Sequence, residues 1–244
     1  MDQWHVITAA HCVTDNVTHE ILDLPWTVVA GTVDLKNRGV AVYHDVHMVF
    51  IPKSFMDNSP GDLNHDIAVL RLRRPLPLGI HPYLGSIQLP RADQYLPPEN
   101  QTVVMSGFGT YYQSRQLNGD VTSGPISQFL RFAQGIINVP DAWGCEDFEV
   151  CVESLGRRQG YLQGTCYGDS GGPLYDEKTN ILIGVISYFN YAACGDIARF
   201  TRVSAHLPFI ADVIFNNFDV TVLWWRELLH NLEGMFPLLA VCDI

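Results

Sequence analysis

Apolar residues in this chain gather in short runs that turn-forming residues interrupt. Trp26–Ala30 stops at Gly31, Thr102–Met105 stops at Ser106-Gly107, and Ile136–Val139 stops at Pro140. Val40–Tyr43, Ile67–Leu72 and Ile181–Ser187 have the same character. Each run has strand length and contains β-branched residues, so each predicts a β-strand of a sheet or barrel. Between Pro75 and Pro98 the pattern changes. Pro75, Pro77, Pro82, Pro90, Pro97 and Pro98 crowd one stretch, and proline removes ladder donors. The reading there is a linker, with the boundary between two halves near Pro90–Pro98. The expected division is residues 1–95, 96–216 and an atypical tail, 217–244.

The tail breaks the strand pattern. Trp225, Leu228, Leu229, Leu232, Met235 and Phe236 recur at helical spacing, with Arg226, Glu227, His230 and Glu233 between them. This predicts an amphipathic helix packed on the body. Charges interrupt it, and a span needs roughly 20 continuous apolar residues, so no membrane span is expected.

Composition narrows the classes. With 47% hydrophobic and 17% charged residues in 244, the chain is globular rather than disordered. Gly 20 and Pro 14 suit a turn-rich β protein. The net charge of −11 argues against a nucleic-acid partner and against adhesion to anionic membrane. Six cysteines include no C-x-x-C pair, so a zinc ribbon is not expected. Sequons at Asn16-Val17-Thr18 and Asn100-Gln101-Thr102 suit a secreted glycoprotein. Met1-Asp2-Gln3-Trp4 does not open a signal peptide.

Three segments carry candidate chemistry. In Gly168-Asp169-Ser170-Gly171-Gly172-Pro173, glycines around a serine let the backbone turn tightly and approach a substrate. A serine hydroxyl becomes a nucleophile only with a base to take its proton and N–H donors to hold an oxyanion. In Thr8-Ala9-Ala10-His11-Cys12, small residues allow close packing beneath an imidazole. In Asn64-His65-Asp66-Ile67-Ala68-Val69-Leu70, an aspartate opens an apolar strand, where it can be buried and still hydrogen-bonded. Alone, these are most often a turn, a surface histidine and a strand cap. A fourth segment, His44-Asp45-Val46-His47, invites a metal reading. In a strand, positions i and i+3 face opposite ways, so the pair reads as ordinary surface.

Together the three segments resemble the chymotrypsin–trypsin family of serine endopeptidases, whose members keep the order His, Asp, Ser. The resemblance covers roughly Trp4 to Asn216. It implies an all-β fold of two antiparallel barrels followed by a short C-terminal helix. It also implies a catalytic set of Ser170 as nucleophile, His11 as general base then acid, and Asp66 as the group that orients His11. Gly168 and Ser170 would supply the oxyanion-hole N–H groups. Cys145–Cys151 and Cys166–Cys194 would be disulfides of the second barrel. The substrate-binding residues would be Gly164, Thr165, Ser187, Tyr188, Phe189 and Ala198. Gly164 brings no charge where trypsin-like relatives carry Asp, Phe189 narrows the entrance, and Ala198 is small. The expected preference is for neutral apolar side chains, elastase-like or chymotrypsin-like, with Asp196 as the nearest alternative source of charge.

The implied partners are protein or peptide substrates and protein protease inhibitors. A monomer is expected, and no cofactor or metal, since side chains and water suffice for the chemistry.

The chain departs from the family pattern at both ends. No Ile-Val-Gly-Gly segment precedes the His motif, so an incomplete first barrel is expected. Asp169, whose family counterpart pairs with that new N-terminus, is expected to lack its amine partner. Cys12 and Cys242 are left over, and their pairing with each other has no family support. The preferred explanation is a coding sequence whose start and end are both misassigned. The literal chain would then be inactive, and the competing function is a non-catalytic homologue that binds proteins.

Overall fold

The computed structural model describes residues 1–15, 17–22, 24–92, 98–115, 121–137, 144–158, 161–189, 194–195, 197–215 and 238–242. Its strands, in chain order, are β1 (His5–Thr8), β2 (Thr27–Ala30), β3 (Val42–Pro52), β4 (Ala68–Leu72), β5 (Thr102–Gly107), β6 (Gln113–Arg115), β7 (Val121–Ser123) and β8 (Arg131–Ile137). They continue as β9 (Glu149–Ser154), β10 (Gly156–Arg158), β11 (Tyr161–Gln163), β12 (Pro173–Asp176), β13 (Ile181–Phe189), β14 (Ala198–Arg202) and β15 (Leu238–Cys242). Two α-helices are described, α1 (Lys53–Met56) and α2 (Leu207–Phe215). Each of the six predicted runs overlaps a strand, and Asn138 and Val139 of one of them lie outside the described residues. The run at Val40–Tyr43 begins β3, which continues to Pro52 through a bulge between Val46 and Met48.

The chain divides into two compact units, Met1–Ile87 with His206–Ile244, and Gln88–Ala205. In the first unit a five-stranded sheet runs β1-β4-β3-β15, with β2 also on β3. The long β3 serves two neighbours on one side. Its first part pairs antiparallel with β2, Val29 opposite Tyr43, and its last part pairs in parallel with β15, Leu239 opposite Val49. The sheet does not close among the described residues. Val46, Val49, Ile51, Phe55, Ala68, Leu70 and Leu72 form its buried core. Helix α2 buries Phe209, Ile210 and Val213.

The second unit is a closed barrel, β12-β13-β14-β9-β8-β5, antiparallel throughout. Closure removes the unpaired ladder groups that an open sheet must protect. Val103, Met105, Val150, Val152, Leu174, Ile183, Ile186 and Phe200 fill it. Burying each large apolar side chain contributes about 1.5–3 kcal/mol before entropy is counted. Two prominent glycines in this barrel have no room for a side chain. A Cβ on Gly135 would meet Val152 Cγ1 at 2.3 Å, and one on Gly184 would meet Phe200 Cβ at 2.8 Å.

The tail helix expected over Trp225–Phe236 lies outside the described residues. Strand β15 beyond it was not anticipated. Asn16 of the first sequon and Asp196 also lie outside them. No helix among the described residues is long and apolar enough to cross a membrane.

Candidate active site

In the first unit, His11 and Asp66 are positioned by a strand pair. β1 and β4 run antiparallel with Thr8 opposite Ala68. The chain leaving β1 enters a single 3₁₀ turn, Ala10–Cys12, and the chain entering β4 arrives through Asp66. His11 and Asp66 therefore meet at the same end of the ladder. Ala9 and Ala10 are fully buried under this turn. His65 adopts φ 56°, and the N–H of Ile67 closes back on its carbonyl at 2.8 Å. That tight turn aims the Asp66 carboxylate inward, where its exposure is 0%.

Both carboxylate oxygens of Asp66 hold His11. The backbone N–H of His11 donates to Oδ1 at 2.9 Å, and Nδ1 donates to Oδ2 at 2.6 Å. With Nδ1 committed as donor, Nε2 of the neutral ring is an acceptor. Burial pulls the imidazole toward its neutral form. The hydrogen bond and charge of Asp66 and the adjacent Cys12 sulfur outweigh it and raise the pKa from 6.5 to about 10. Behind Asp66, Nδ1 of His65 lies 3.1 Å from Nε2 of the buried His206.

In the second unit, the segment around Ser170 is shaped mostly by backbone. Gly168 and Gly171 have φ of 88° and 78°, a region that side chains rarely adopt. The turn between them is tied by Asp169 N–H to the Cys166 carbonyl at 3.1 Å and Gly172 N–H to the Asp169 carbonyl at 2.9 Å. Gly171 N–H and Ile186 N–H cross-link it to β13. The Cys166–Cys194 disulfide fixes its base. The N–H groups of Gly168 and Ser170 have no acceptor among the described residues.

The Asp169 carboxylate is half-buried. Gly109 N–H donates to Oδ1 at 2.8 Å and Cys166 N–H to Oδ2 at 2.9 Å. No cation pairs with it among the described residues. Burial raises its pKa above the usual 3.8, with those two N–H groups acting against it. The carboxylate occupies space that only glycine leaves open. A Cβ on Gly107 would lie 2.0 Å from Oδ1, and one on Gly109 2.6 Å from the carboxyl carbon.

The expected pocket residues fall on and around β13 and β14. Phe189 lies opposite Ala198 and Tyr188 opposite Arg199. Ser187, Thr165 and Ala198 are buried. At Gly164 a Cβ would meet Ser154 Oγ at 2.5 Å and Gly195 Cα at 2.8 Å, so this position has no room for a side chain.

Several residues beside these were not singled out by the sequence. Tyr167 stacks edge-on against Phe189 with centroids 5.2 Å apart. Tyr188 donates its hydroxyl to Glu149 Oε1 at 2.9 Å, and Arg199 Nη1 pairs with Glu149 Oε2 at 2.8 Å. Burial and the Glu149 carboxylate push the Tyr188 phenol well above its usual range. The Glu149–Arg199 pair is nearly dry, with 5% and 15% of the side chains exposed. Removing one partner of such a pair leaves the other buried and uncompensated. The Cys145–Cys151 disulfide joins the loop before β9 to that strand. Cys12 and Cys242 are not disulfide-bonded.

A family model described as Trypsin matches residues 1–210. Chymotrypsin-2 of Vespa crabro is 30% identical over 212 residues, covering 84% of this chain and 83% of that protein. Chymotrypsin-like elastase family member 1 of Homo sapiens is 31% identical over 229 residues, covering 87% and 78%. Among solved structures, human heparin binding protein superposes with a TM-score of 0.69 at 26% identity, covering 88% of this chain and 84% of that one. A scabies mite inactivated protease paralogue superposes at 0.64 and 21% identity, which speaks to the fold alone. The closed barrel, the partly built one and the short C-terminal helix are those of the chymotrypsin-type double barrel.

Proposed function

Because the chain belongs to the trypsin family, we propose that it is a serine endopeptidase in which Ser170 is the nucleophile, His11 its base and Asp66 the group that orients His11. The observation that carries this reading is the Asp66–His11 couple. A fully buried carboxylate accepts from Nδ1 at 2.6 Å and from the His11 N–H at 2.9 Å. That pair of bonds fixes the ring and its tautomer, so that Nε2 takes a proton from a serine hydroxyl once the ring is neutral, a form that its raised pKa makes predominant only toward alkaline pH. Ser170 attacks the scissile carbonyl. The resulting oxyanion is held by the N–H groups of Gly168 and Ser170, which have no other acceptor among the described residues. His11 then returns the proton to the leaving amine, and water repeats the cycle on the acyl-enzyme.

The pocket supports a neutral apolar preference. Gly164 brings no charge and is closed in by Ser154 and Gly195. Phe189 is bulky and opposite the small Ala198. Small and medium aliphatic residues before the cut fit this best, with larger apolar ones behind them. Two disulfides and two sequons support an oxidising, extracellular setting. A second reading, a non-catalytic protein-binding homologue, is favoured by one observation: Asp169 is held by backbone N–H groups with no cationic partner among the described residues.

A peptide library varied at the residue before the cut tests the enzyme reading. Cleavage after Ala, Val or Leu that disappears in Ser170→Ala is expected. Cleavage confined to Arg or Lys would refute the neutral pocket, and a Ser170→Ala variant with the parent's rate would refute the nucleophile.

A further inference from the structure

Side chains from three neighbouring strands of the closed barrel meet at the end of β13. β13, β14 and β9 lie side by side, with Tyr188 opposite Arg199 and Arg199 opposite Cys151. Glu149 begins β9, and both oxygens of its carboxylate are engaged. Oε1 accepts from the Tyr188 hydroxyl at 2.9 Å. Oε2 accepts from Arg199 Nη1 at 2.8 Å and from the Glu146 N–H at 3.1 Å. Arg199 Nη1 also donates to the Gly144 carbonyl at 2.8 Å, and its guanidinium carbon lies 5.5 Å from the centre of the Tyr188 ring.

The strand that this cluster grips has an open side. β12 runs beside β13 only from Ile181 to Val185, and Ile186 then bonds through its backbone to Gly171 and Gly172. Past Ile186, among the described residues, the only strand paired with β13 is β14. A bulge between Ile186 and Tyr188 interrupts that pairing, and a bulge bends its strand and re-aims side chains. Apolar packing alone lets a ring slide or turn, whereas a hydroxyl donating to a fixed carboxylate holds one position. A buried ion pair is weak evidence for stability, because well-packed apolar residues of like volume often serve a fold as well or better. The directional bonds of Glu149 and Arg199 are therefore suited to placing Tyr188 after the bulge rather than to holding the barrel shut.

We propose that Glu149 and Arg199 are positioning residues, which fix Tyr188 and with it the open edge of β13 on which an extended, uncharged peptide docks as an added strand. This rests on the proposed function only in taking β13 as the strand that receives the substrate. With 5% and 15% of their side chains exposed, Glu149 and Arg199 act through Tyr188 rather than by touching the peptide. An added strand draws its affinity from main-chain hydrogen bonds to the edge it joins. Those bonds weaken steeply once the donor is misaligned, so an edge free to shift holds the peptide poorly even when the barrel is intact. All of the groups involved belong to one compact unit.

The test measures the dissociation constant of tetra-alanine, blocked at both ends, on the Ser170→Ala chain, where no cleavage is expected. The key variant adds Glu149→Met with Arg199→Leu, an apolar pair that leaves no buried charge behind. Its denaturant midpoint should match or exceed that of the chain without the pair, while tetra-alanine binds at least about tenfold more weakly, the worth of one or two lost hydrogen bonds. Tyr188→Phe keeps the ion pair, should weaken binding less, and decides the matter where the double change fails to fold. A backbone N-methylated tetra-alanine, which cannot donate to a strand edge, should bind poorly to every chain and show no such ratio. Equal affinity for tetra-alanine with and without the cluster, in any folded variant, would overturn the proposal. So would a chain with the cluster intact that binds no tetra-alanine, or one that binds the N-methylated peptide as well. A fluorophosphonate probe on the parent reports Ser170 separately. No label beside the expected affinity ratio would refute the peptidase reading and leave the positioning role standing; label without the ratio would do the reverse.

Discussion

The two units hold their candidate catalytic residues by different means. In the first, an open five-stranded sheet presents His11 and Asp66, and the two are fixed by hydrogen bonds from one carboxylate. In the second, a closed barrel presents the Ser170 turn. A disulfide, two positive-φ glycines and backbone hydrogen bonds fix that turn. Side chains set the geometry in the sheet, and backbone sets it in the barrel. Substitutions near His11 should therefore damage chemistry more than stability, and substitutions around Ser170 should do both.

The sharpest test of that contrast is Asp66→Asn. The amide is nearly isosteric but favours the wrong tautomer of His11. Turnover on a peptide substrate should fall by about four powers of ten, while the variant stays folded. An unfolded variant would show that the carboxylate supports the sheet as well as the imidazole.

In the barrel, Phe200→Ala should cost about 3–5 kcal/mol in denaturant unfolding, because the ring is fully buried and cannot be replaced by water. Gly109→Ala should cost less, about 1–3 kcal/mol, as the Asp169 carboxylate shifts to make room. It should nevertheless lower Ser170 reactivity, since it displaces the residue next to the serine. A Gly109→Ala chain with unchanged reactivity would uncouple Asp169 from the serine turn.

Proton linkage separates the units by pH window. His11 has a folded pKa raised from 6.5 to about 10, so the folded state binds more protons there than the unfolded chain. Its contribution is complete below about pH 6.5 and is lost as pH rises through about 10. Asp169 is also raised, from 3.8, and by the same sign its contribution is complete below that value and lost as pH climbs past its folded pKa. Thermal unfolding across pH should show the alkaline decline flattened in Asp66→Asn and the loss of stability as pH rises above about 3.8 removed in Asp169→Asn. The smallest expected effect is in hydrogen exchange. Amides of the sheet-edge strands β1 and β15 should exchange faster than those of β13 in the closed barrel.

Much of this was legible in the sequence. Short apolar runs gave six strands because a half-buried strand must alternate or run apolar. The three motifs were legible because a reactive serine needs glycine turns and a buried carboxylate needs a tight entry. The rest depended on distant segments meeting. Glu149 reads as a charge in a short strand, and only folding places it against Tyr188 and Arg199. Tyr167 is one residue from a motif glycine, yet its stacking on Phe189 joins that turn to the end of β13. The contact of Cys12 with Nε2 depends on the 3₁₀ turn that follows β1. β15 pairs in parallel with β3, and a parallel partner leaves no hairpin signal between the two strands.

We propose Ser170 as an activated nucleophile and the Asp66–His11 couple as its base. Treating the refolded, oxidised chain with a fluorophosphonate probe tests it most directly, with Ser170→Ala as control. Covalent label on Ser170 that disappears in the variant is expected. A folded chain with both disulfides formed that takes no label would contradict it.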